Sequence, residues 1–222
     1  IDYCYYQLED NLVNKLVENG ISKSSFCSGT CVAMVLAIVN GDSSITPLDA
    51  LYLENDENDS STINWTWDKN GNDTGLKAWE IDNNSVKISD NRKFDSNGNR
   101  YYTSYDETPL DQESHLNLIK EYLEVGQPVI IHVSNHYVVI VGVESGVDLA
   151  DATFEQLVIF DPATQGENKI ATLGNAYKNY TLDDYRILTP YFVDENGEFI
   201  LDENGNKTTN PEYAPATNSS DI

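Results

Sequence analysis

Three residue types that together support nucleophilic catalysis occur in this sequence in a suitable order: a cysteine, a histidine and an aspartate. Cys27 precedes a long apolar run, His136 precedes a β-branched run, and Asp161 follows a third apolar run. In such a set a thiolate attacks a carbonyl carbon, the histidine transfers the proton, and the carboxylate orients the imidazole. Each residue alone has an ordinary structural explanation, since cysteine is often buried and Asp-Pro often starts a turn. The combination is more specific than any one member.

Cys27 lies at the start of the most apolar stretch of the chain, which extends to Val39. This stretch predicts a helix that is apolar on nearly every side and therefore buried. The unpaired N–H groups and the positive end of the helix dipole favour a thiolate over a thiol at such a position. Cys31 follows one turn later, and we interpret it as a buried structural cysteine.

The chain has three histidines, which differ in how well they could serve as the base. His115 falls inside a predicted helix among polar neighbours, so we expect it at the surface. His132 lies in the middle of a predicted strand, and we expect a structural role. His136 stands at the turn that opens the next strand, where a side chain can face a cleft. It is therefore the best candidate for the general base.

Helical patterns dominate the first half of the chain and strand patterns the second. The predicted helices lie at residues 10–20, at 27–41, from Thr46-Pro47 onward, near 75–81 and at 111–125. The predicted strands lie at residues 128–133, 137–143 and 157–160, with a further helix or strand at 180–188. Segments 55–75 and 82–108 are rich in Asn, Asp, Ser and Gly and are predicted to be loops. Helices followed by strands predict an α+β fold.

The length of 222 residues is enough for one domain with a small appendage. We place that domain at residues 1–192. Two Asn-Gly pairs predict a hairpin at 193–209, and the polar residues 210–222 predict a linker or disordered tail that could lead to other modules. Asp-x-Asn-Gly segments near residues 68, 194 and 202 are similar to part of a calcium loop but lack its final acidic residue, so no metal ion is predicted.

Composition limits the partners of this chain. Its 13 basic and 37 acidic residues give a net charge of −24, which repels nucleic acid and anionic membrane surfaces. The longest apolar run, within residues 31–39, is far too short to insert into a membrane. The charge suits a secreted or cell-surface setting, and the start at Ile1 is typical of a trimmed mature segment. An acidic surface could attract cationic substrates, although a merely solvated surface explains it too.

The three cysteines form an odd set, which leaves one thiol unpaired in a secreted protein. We expect a disulfide between Cys4 and Cys31, with Cys27 free to react.

Three motifs together resemble a known family: Cys27-x-x-Thr30-x-x-Ala33-Met34, then a strand that opens with His136-Tyr-Val-Val, then Ile159-Phe-Asp161-Pro162. They are similar to motifs of the bacterial papain-like cysteine peptidases of the bacteriocin-leader-processing type, peptidase family thirty-nine, over roughly residues 1 to 190. The resemblance implies a papain-like fold, in which an N-terminal helical half packs on a C-terminal antiparallel sheet with the cleft between. It also implies that Cys27 is the nucleophile, His136 the base and Asp161 the orienting residue, without metal or organic cofactor.

The sequence departs from the family pattern in front of the nucleophile. The family has a glutamine a short distance upstream that contributes to the oxyanion hole, whereas residues 21–26 contain no amide side chain. The nearest glutamine is Gln7, which reaches the cleft only if the intervening helix is an insertion. Gln7 is therefore the candidate donor for the oxyanion hole.

Three functions are compatible with these residues. The first is a secreted or surface cysteine endopeptidase that cleaves a peptide or protein substrate through a thioester acyl-enzyme. The second is a cell-wall hydrolase, because Cys27-Ser28-Gly29 resembles the opening of cysteine–histidine peptidoglycan hydrolases. The third is a papain-like domain retained for binding or adhesion with little turnover. The pair Asp161-Pro162 favours the endopeptidase.

Overall fold

The computed structural model describes residues 3–23, 26–51, 82–83, 86–90, 92–102, 111–133, 136–178, 188–192 and 201. Its helices are α1 (Asp10–Glu18), α2 (Cys27–Asn40), α3 (Pro47–Ala50), α4 (Gln112–Glu124) and α5 (Leu173–Ala176). Its strands are β1 (Asp82–Asn83), β2 (Val86–Asp90), β3 (Arg92–Phe94), β4 (Arg100–Tyr102), β5 (Val129–Val133), β6 (His136–Val143), β7 (Leu157–Phe160), β8 (Ile170–Thr172) and β9 (Leu188–Phe192). Short 3₁₀ helices lie at Leu149–Asp151, Phe154–Gln156 and Gly166–Lys169.

Helix α2 forms the centre of the core. Every residue from Ser28 to Val39 is buried, as the apolar sequence predicted. The helix ends where Gly41 adopts a left-handed conformation with φ of 61°, which glycine tolerates without steric cost. The helix therefore holds Cys27, its first residue, in a fixed place.

The start of α2 depends on close packing between Phe26 and Gly29. The ring of Phe26 lies over Gly29 so closely that a Cβ atom built there would be 2.3 Å from the nearest ring carbon. Thr30 adds a hydrogen bond from its Oγ1 to the Phe26 carbonyl, at 2.8 Å. Packing against the Phe26 ring therefore explains why position 29 is a glycine.

Among the described residues, the main sheet has seven strands in the order β1-β2-β9-β5-β6-β7-β8, with antiparallel pairing throughout. Helix α2 covers one face of its centre, where Ile130, Val139 and Phe160 join the same hydrophobic cluster. Helix α4 covers the other face, where Ile131 and Ile159 belong to a second cluster. Because both faces of the sheet are buried at its centre, the sequences of the central strands are almost continuously apolar. The predicted α+β architecture is confirmed, but β1 to β4 precede α4, so the helices do not all come before the strands.

Two predictions about local structure are wrong. Residues 82–108 were expected to be a loop, but they contribute β1 and β2 to the main sheet and form the separate β3–β4 hairpin. β2 pairs over its full length with the distant β9, so long-range pairing overrides the polar composition. His115 was expected at the surface, yet it is only 1% exposed. It lies on the same helical stripe as Ile119 and Tyr122, which faces the sheet.

Some predictions fall outside the described residues. These are the loop and helix predicted within residues 55–81, the calcium-like segments, the element at 180–187, and the hairpin and tail at 193–222 apart from Leu201. The domain boundary at 192 stays a prediction. In the part of the chain that is described, no helix has both the length and the apolar character needed to cross a bilayer.

Gly29→Ala is expected to destabilise the protein by about 1–3 kcal/mol, because the added methyl group would overlap the ring of Phe26. The sign is informative, since Gly→Ala inside an ordinary helix stabilises by up to about 1 kcal/mol. Urea unfolding of the variant and of the double variant Phe26→Leu/Gly29→Ala measures the effect, and the smaller leucine should restore part of the loss. A Gly29→Ala protein as stable as the parent would contradict this packing.

His115→Gln is expected to make the free energy of unfolding less sensitive to acid. Burial lowers the pKa of His115 to about 4, whereas an unfolded histidine titrates near 6.5. The unfolded chain therefore binds an extra proton between these values, and the free energy of unfolding falls by up to about 3 kcal/mol as the pH drops from 6.5 to 4. Chemical unfolding of both proteins across this range should show a difference that depends on pH, with His132→Gln as control. Parallel stability curves would contradict the prediction.

Candidate active site

The pairing of β6 with β7 places His136 and Asp161 at the same end of the sheet. β6 begins at His136 and β7 ends at Phe160, and the two strands are antiparallel with Val139 opposite Phe160. Asp161 therefore emerges beside the first residues of β6. This is the juxtaposition that the sequence predicted for the two residues.

The side chains of His136 and Asp161 are hydrogen-bonded. Nε2 of His136 lies 2.8 Å from Oδ1 of Asp161, and both side chains are largely buried. Because an ionised carboxylate only accepts, the Nε2–H group is the donor. The bond leaves Nδ1 as the ring nitrogen free to act on another group.

Cys27 is the second group that acts on this imidazole. It is the first residue of α2 and is half-buried. Burial by itself lowers the pKa of His136, but hydrogen bonds from the imidazole to Asp161 and Cys27, together with the charges of both, outweigh it and raise the pKa to about 9. The structure thus brings Cys27 and Asp161 to the imidazole of His136.

The carboxylate of Asp161 is held at both oxygens. Oδ1 also accepts a hydrogen bond from the backbone N–H of Ala163 at 2.9 Å, and Oδ2 accepts one from the hydroxyl of Tyr177 at 2.9 Å. Burial raises the pKa of Asp161, but the bonds from His136, Ala163 and Tyr177 prevail, and the net shift is downward. The site therefore contains an ionised carboxylate in a fixed orientation.

Tyr177 is the member of this site that the sequence analysis missed. It follows α5, and both β8 and α5 separate it from Asp161 along the chain. No spacing rule connects the two residues, because several short elements and the turns between them set their distance. The aromatic residue that ends a short helix after the Asp-Pro turn is the one signal that the sequence offered.

Gln7 lies close to the turn at residues 161–164. Its backbone N–H donates to the carbonyl of Pro162 at 2.8 Å, and its side chain is buried. Helix α1 occupies the chain between Gln7 and Cys27. The buried Oε1 atom of the Gln7 amide accepts no hydrogen bond from the described residues, a state that costs about 1–3 kcal/mol in general.

A comparison with models of protein families identifies the family of this chain. The model described as the Peptidase_C39 like family matches residues 3–188. The chain belongs to this family. No curated protein and no solved structure gives a match. Membership supports a cysteine peptidase in general and a peptide as the substrate class, and it agrees with the papain-like α+β fold.

The three cysteines of this C39-like protein are all thiols, so the predicted disulfide between Cys4 and Cys31 is wrong. The Cys4 thiol instead donates to the carbonyl of Lys169 at 3.4 Å, the same oxygen that accepts the backbone N–H of Asp161 at 2.9 Å. Cys31 is completely buried, and this burial raises the pKa of its thiol, with further increases from the charges of Cys27, Asp161 and Cys4. The alternative of a structural cysteine at position 31 agrees with this burial.

The other two histidines belong to β5 and α4. His132 sits opposite Tyr137 in the β5–β6 ladder, and their ring centroids are 4.6 Å apart. His115 lies in the first turn of α4 and is buried. The described residues contain no cluster of His, Cys, Asp and Glu that could hold a metal ion.

A cavity of about 740 Å³ lies close to Gln7 and to the turn that follows Asp161. Its lining includes Tyr6 and Thr164, which neighbour Gln7 and Ala163, but neither Cys27 nor His136. The cavity therefore does not mark the place where a carbonyl group would meet the thiol.

Asp161→Asn is expected to lower the pKa of His136 from about 9 towards its ordinary value near 6.5, because the amide removes the charge that favours the imidazolium. NMR titration of the imidazole C–H signals measures this shift, and the three histidines are few enough to assign by substitution. His132→Gln is the control and should leave the His136 titration unchanged. An unaltered pKa in Asp161→Asn would contradict the role given to the carboxylate.

Proposed function

We propose that this chain is a cysteine endopeptidase that uses Cys27, His136 and Asp161. The observation that carries the proposal is the environment of one imidazole, which is hydrogen-bonded to Asp161 through Nε2 and interacts with the Cys27 thiol at the N-terminus of a buried helix. A thiol, a base and an orienting carboxylate in this order are the parts that acyl transfer through cysteine requires.

The first half of the proposed reaction forms an acyl-enzyme. The Cys27 sulfur, after transferring its proton to His136, attacks the carbonyl carbon of the peptide bond, and the carbonyl oxygen becomes an oxyanion. The imidazolium of His136 then donates its proton to the leaving nitrogen as the C–N bond breaks. The products of this half are a free amine and a thioester on Cys27.

The second half releases the acyl group. His136, now neutral, takes a proton from a water molecule while the water oxygen attacks the thioester carbon. The C–S bond breaks, a carboxylic acid leaves, and the proton returns to Cys27. The ionised Asp161 keeps the imidazole aimed at the thiol and stabilises its charged form in both halves.

Gln7 is the proposed side-chain donor for the oxyanion. The buried position of its amide close to Pro162, directly after Asp161, supports this role. The backbone N–H of Cys27 is the second proposed donor, because the first N–H groups of a helix have no partner within the helix.

Peptide bonds in proteins are favoured over peptidoglycan as the substrate. The resemblance to cell-wall hydrolases rested on Cys27-Ser28-Gly29, and the contact with Phe26 gives Gly29 a packing role independent of substrate. A secreted or cell-surface location is part of the same proposal, supported by the net charge of −24, which favours solubility.

Cys27→Ala and His136→Ala are each expected to abolish hydrolysis of a peptide library, since each removes a group that forms or transfers a bond. Asp161→Asn should retain measurable activity, because the amide oxygen can still accept from Nε2. Cys4→Ala is the matched control: it removes a thiol from the same region and should keep most activity. Mass spectrometry of the library reports the cleavage sites.

Retained cleavage in Cys27→Ala would overturn the assignment of the nucleophile. A wild-type protein that binds library peptides without cleaving any would instead support the binding or adhesion domain. Cleavage confined to purified peptidoglycan fragments would support the cell-wall hydrolase.

Gln7→Ala is expected to lower kcat about 100- to 1,000-fold with little change in KM, because an oxyanion donor acts only when the negative charge develops. Gln165→Ala, an exposed glutamine on the neighbouring loop, is the control and should have wild-type kinetics. A loss of less than threefold in Gln7→Ala would remove this residue from the oxyanion hole.

A further inference from the structure

We propose that Tyr177 is a positioning residue of this site, whose hydroxyl fixes the carboxylate of Asp161 so that His136 stays aimed at Cys27. This inference rests on the proposed function, since it extends the same constellation by a fourth side chain. Tyr177 acts through Asp161 and is not given a contact with substrate.

The geometry of the carboxylate is the first support. Its Oδ1 atom is bonded to His136 and to the backbone of Ala163, while Oδ2 has one partner among the described residues, the Tyr177 hydroxyl at 2.9 Å. A carboxylate bonded at one oxygen can still turn about its Cβ–Cγ bond. The bond at the second oxygen removes this rotation and so fixes the direction in which Oδ1 meets the imidazole.

The placement of Tyr177 itself is the second support. Its backbone N–H donates to the carbonyl of Leu173 at 2.8 Å, and Leu173 is fully buried. Gly174 lies so close to the chain at Glu155 that an added Cβ would be 3.1 Å from that carbonyl oxygen. Helix α5 is therefore anchored on the neighbouring 3₁₀ helix, and the Tyr177 hydroxyl is held in place before any substrate arrives.

The chemistry of a phenol suits this role. Burial, the charge of Asp161 and the hydrogen bond to it all raise the pKa of Tyr177, so the hydroxyl keeps its proton throughout the range in which His136 changes charge. It can therefore donate to Asp161 whether the imidazole is neutral or protonated. The ring of Tyr177 also lies near the imidazole, with 6.4 Å between the centroids.

Tyr177→Phe tests the proposal by removing one oxygen atom while keeping the ring. The readout is the rate of Cys27 alkylation by iodoacetamide at pH 7, with peptide mass spectrometry to separate Cys27 from Cys4 and Cys31. We expect about a tenfold slower reaction, the size that a hydrogen bond to a charged group gives. Tyr122→Phe is the matched control, because it removes a hydroxyl from the hydrophobic cluster against which Tyr177 packs, and its rate should not change.

A second background separates positioning from packing. If Tyr177 acts through the carboxylate, Tyr177→Phe in an Asp161→Ala protein should change the alkylation rate by less than twofold. An equal loss in both backgrounds would mean that the hydroxyl contributes only to packing. No loss in the wild-type background would equally overturn the proposal.

Alkylation requires no peptide hydrolysis, so this test and that of the proposed function can fail separately. A protein that cleaves no peptide but shows the Tyr177 effect on Cys27 would refute the peptidase and retain the positioning role. In an active enzyme, Tyr177→Phe should lower kcat about tenfold and leave KM unchanged, because the hydroxyl acts on the reacting groups and does not bind substrate.

Discussion

The hydrogen bond between Nε2 of His136 and Oδ1 of Asp161 is the interaction on which the rest of the site depends. It joins the first residue of β6 to the residue directly after β7, so it forms only in one register of these strands. A slip of one residue would turn the side chains of a strand to the opposite face. The apolar residues of both strands alternate between two hydrophobic clusters, and such a slip would exchange them. The packing of the core and the alignment of the site therefore rest on the same strand pairing.

Helix α2 adds the thiol to this pair through burial. Because the helix is enclosed on every side, its N-terminus has little freedom to move relative to the sheet. The packing of the core therefore fixes the position of Cys27 next to His136. The N-terminal segment adds a second constraint through the bond from Gln7 to Pro162, directly after Asp161. The unsatisfied Oε1 atom of Gln7 is a cost in stability, and such costs are expected at functional sites.

The parts of this arrangement that the sequence predicted are those set by local patterns. Three sequence patterns each predict the start or end of an element: the apolar run after Cys27, the β-branched run after His136 and the Asp-Pro pair after β7. The adjacent strands β6 and β7 then bring His136 and Asp161 together. Contacts between distant segments were not predictable in this way. The strand β2 pairs with β9 about a hundred residues later, and Tyr177 contacts Asp161 only because a series of short elements between them turns the chain back. His115 could have been placed in the core by its helical spacing from Tyr122, but its polar neighbours obscured that stripe.

The central claim is that His136 activates Cys27 selectively among the three cysteines of the chain. Intact-mass analysis and peptide mapping after treatment with a peptidyl chloromethyl ketone test it directly, since such a reagent alkylates a cysteine that an adjacent imidazole has activated. We predict a single adduct on Cys27 in the wild-type protein and no adduct in His136→Ala over the same time, although the thiol is still present. Equal labelling of the two proteins, or an adduct on Cys4 or Cys31, would contradict the account.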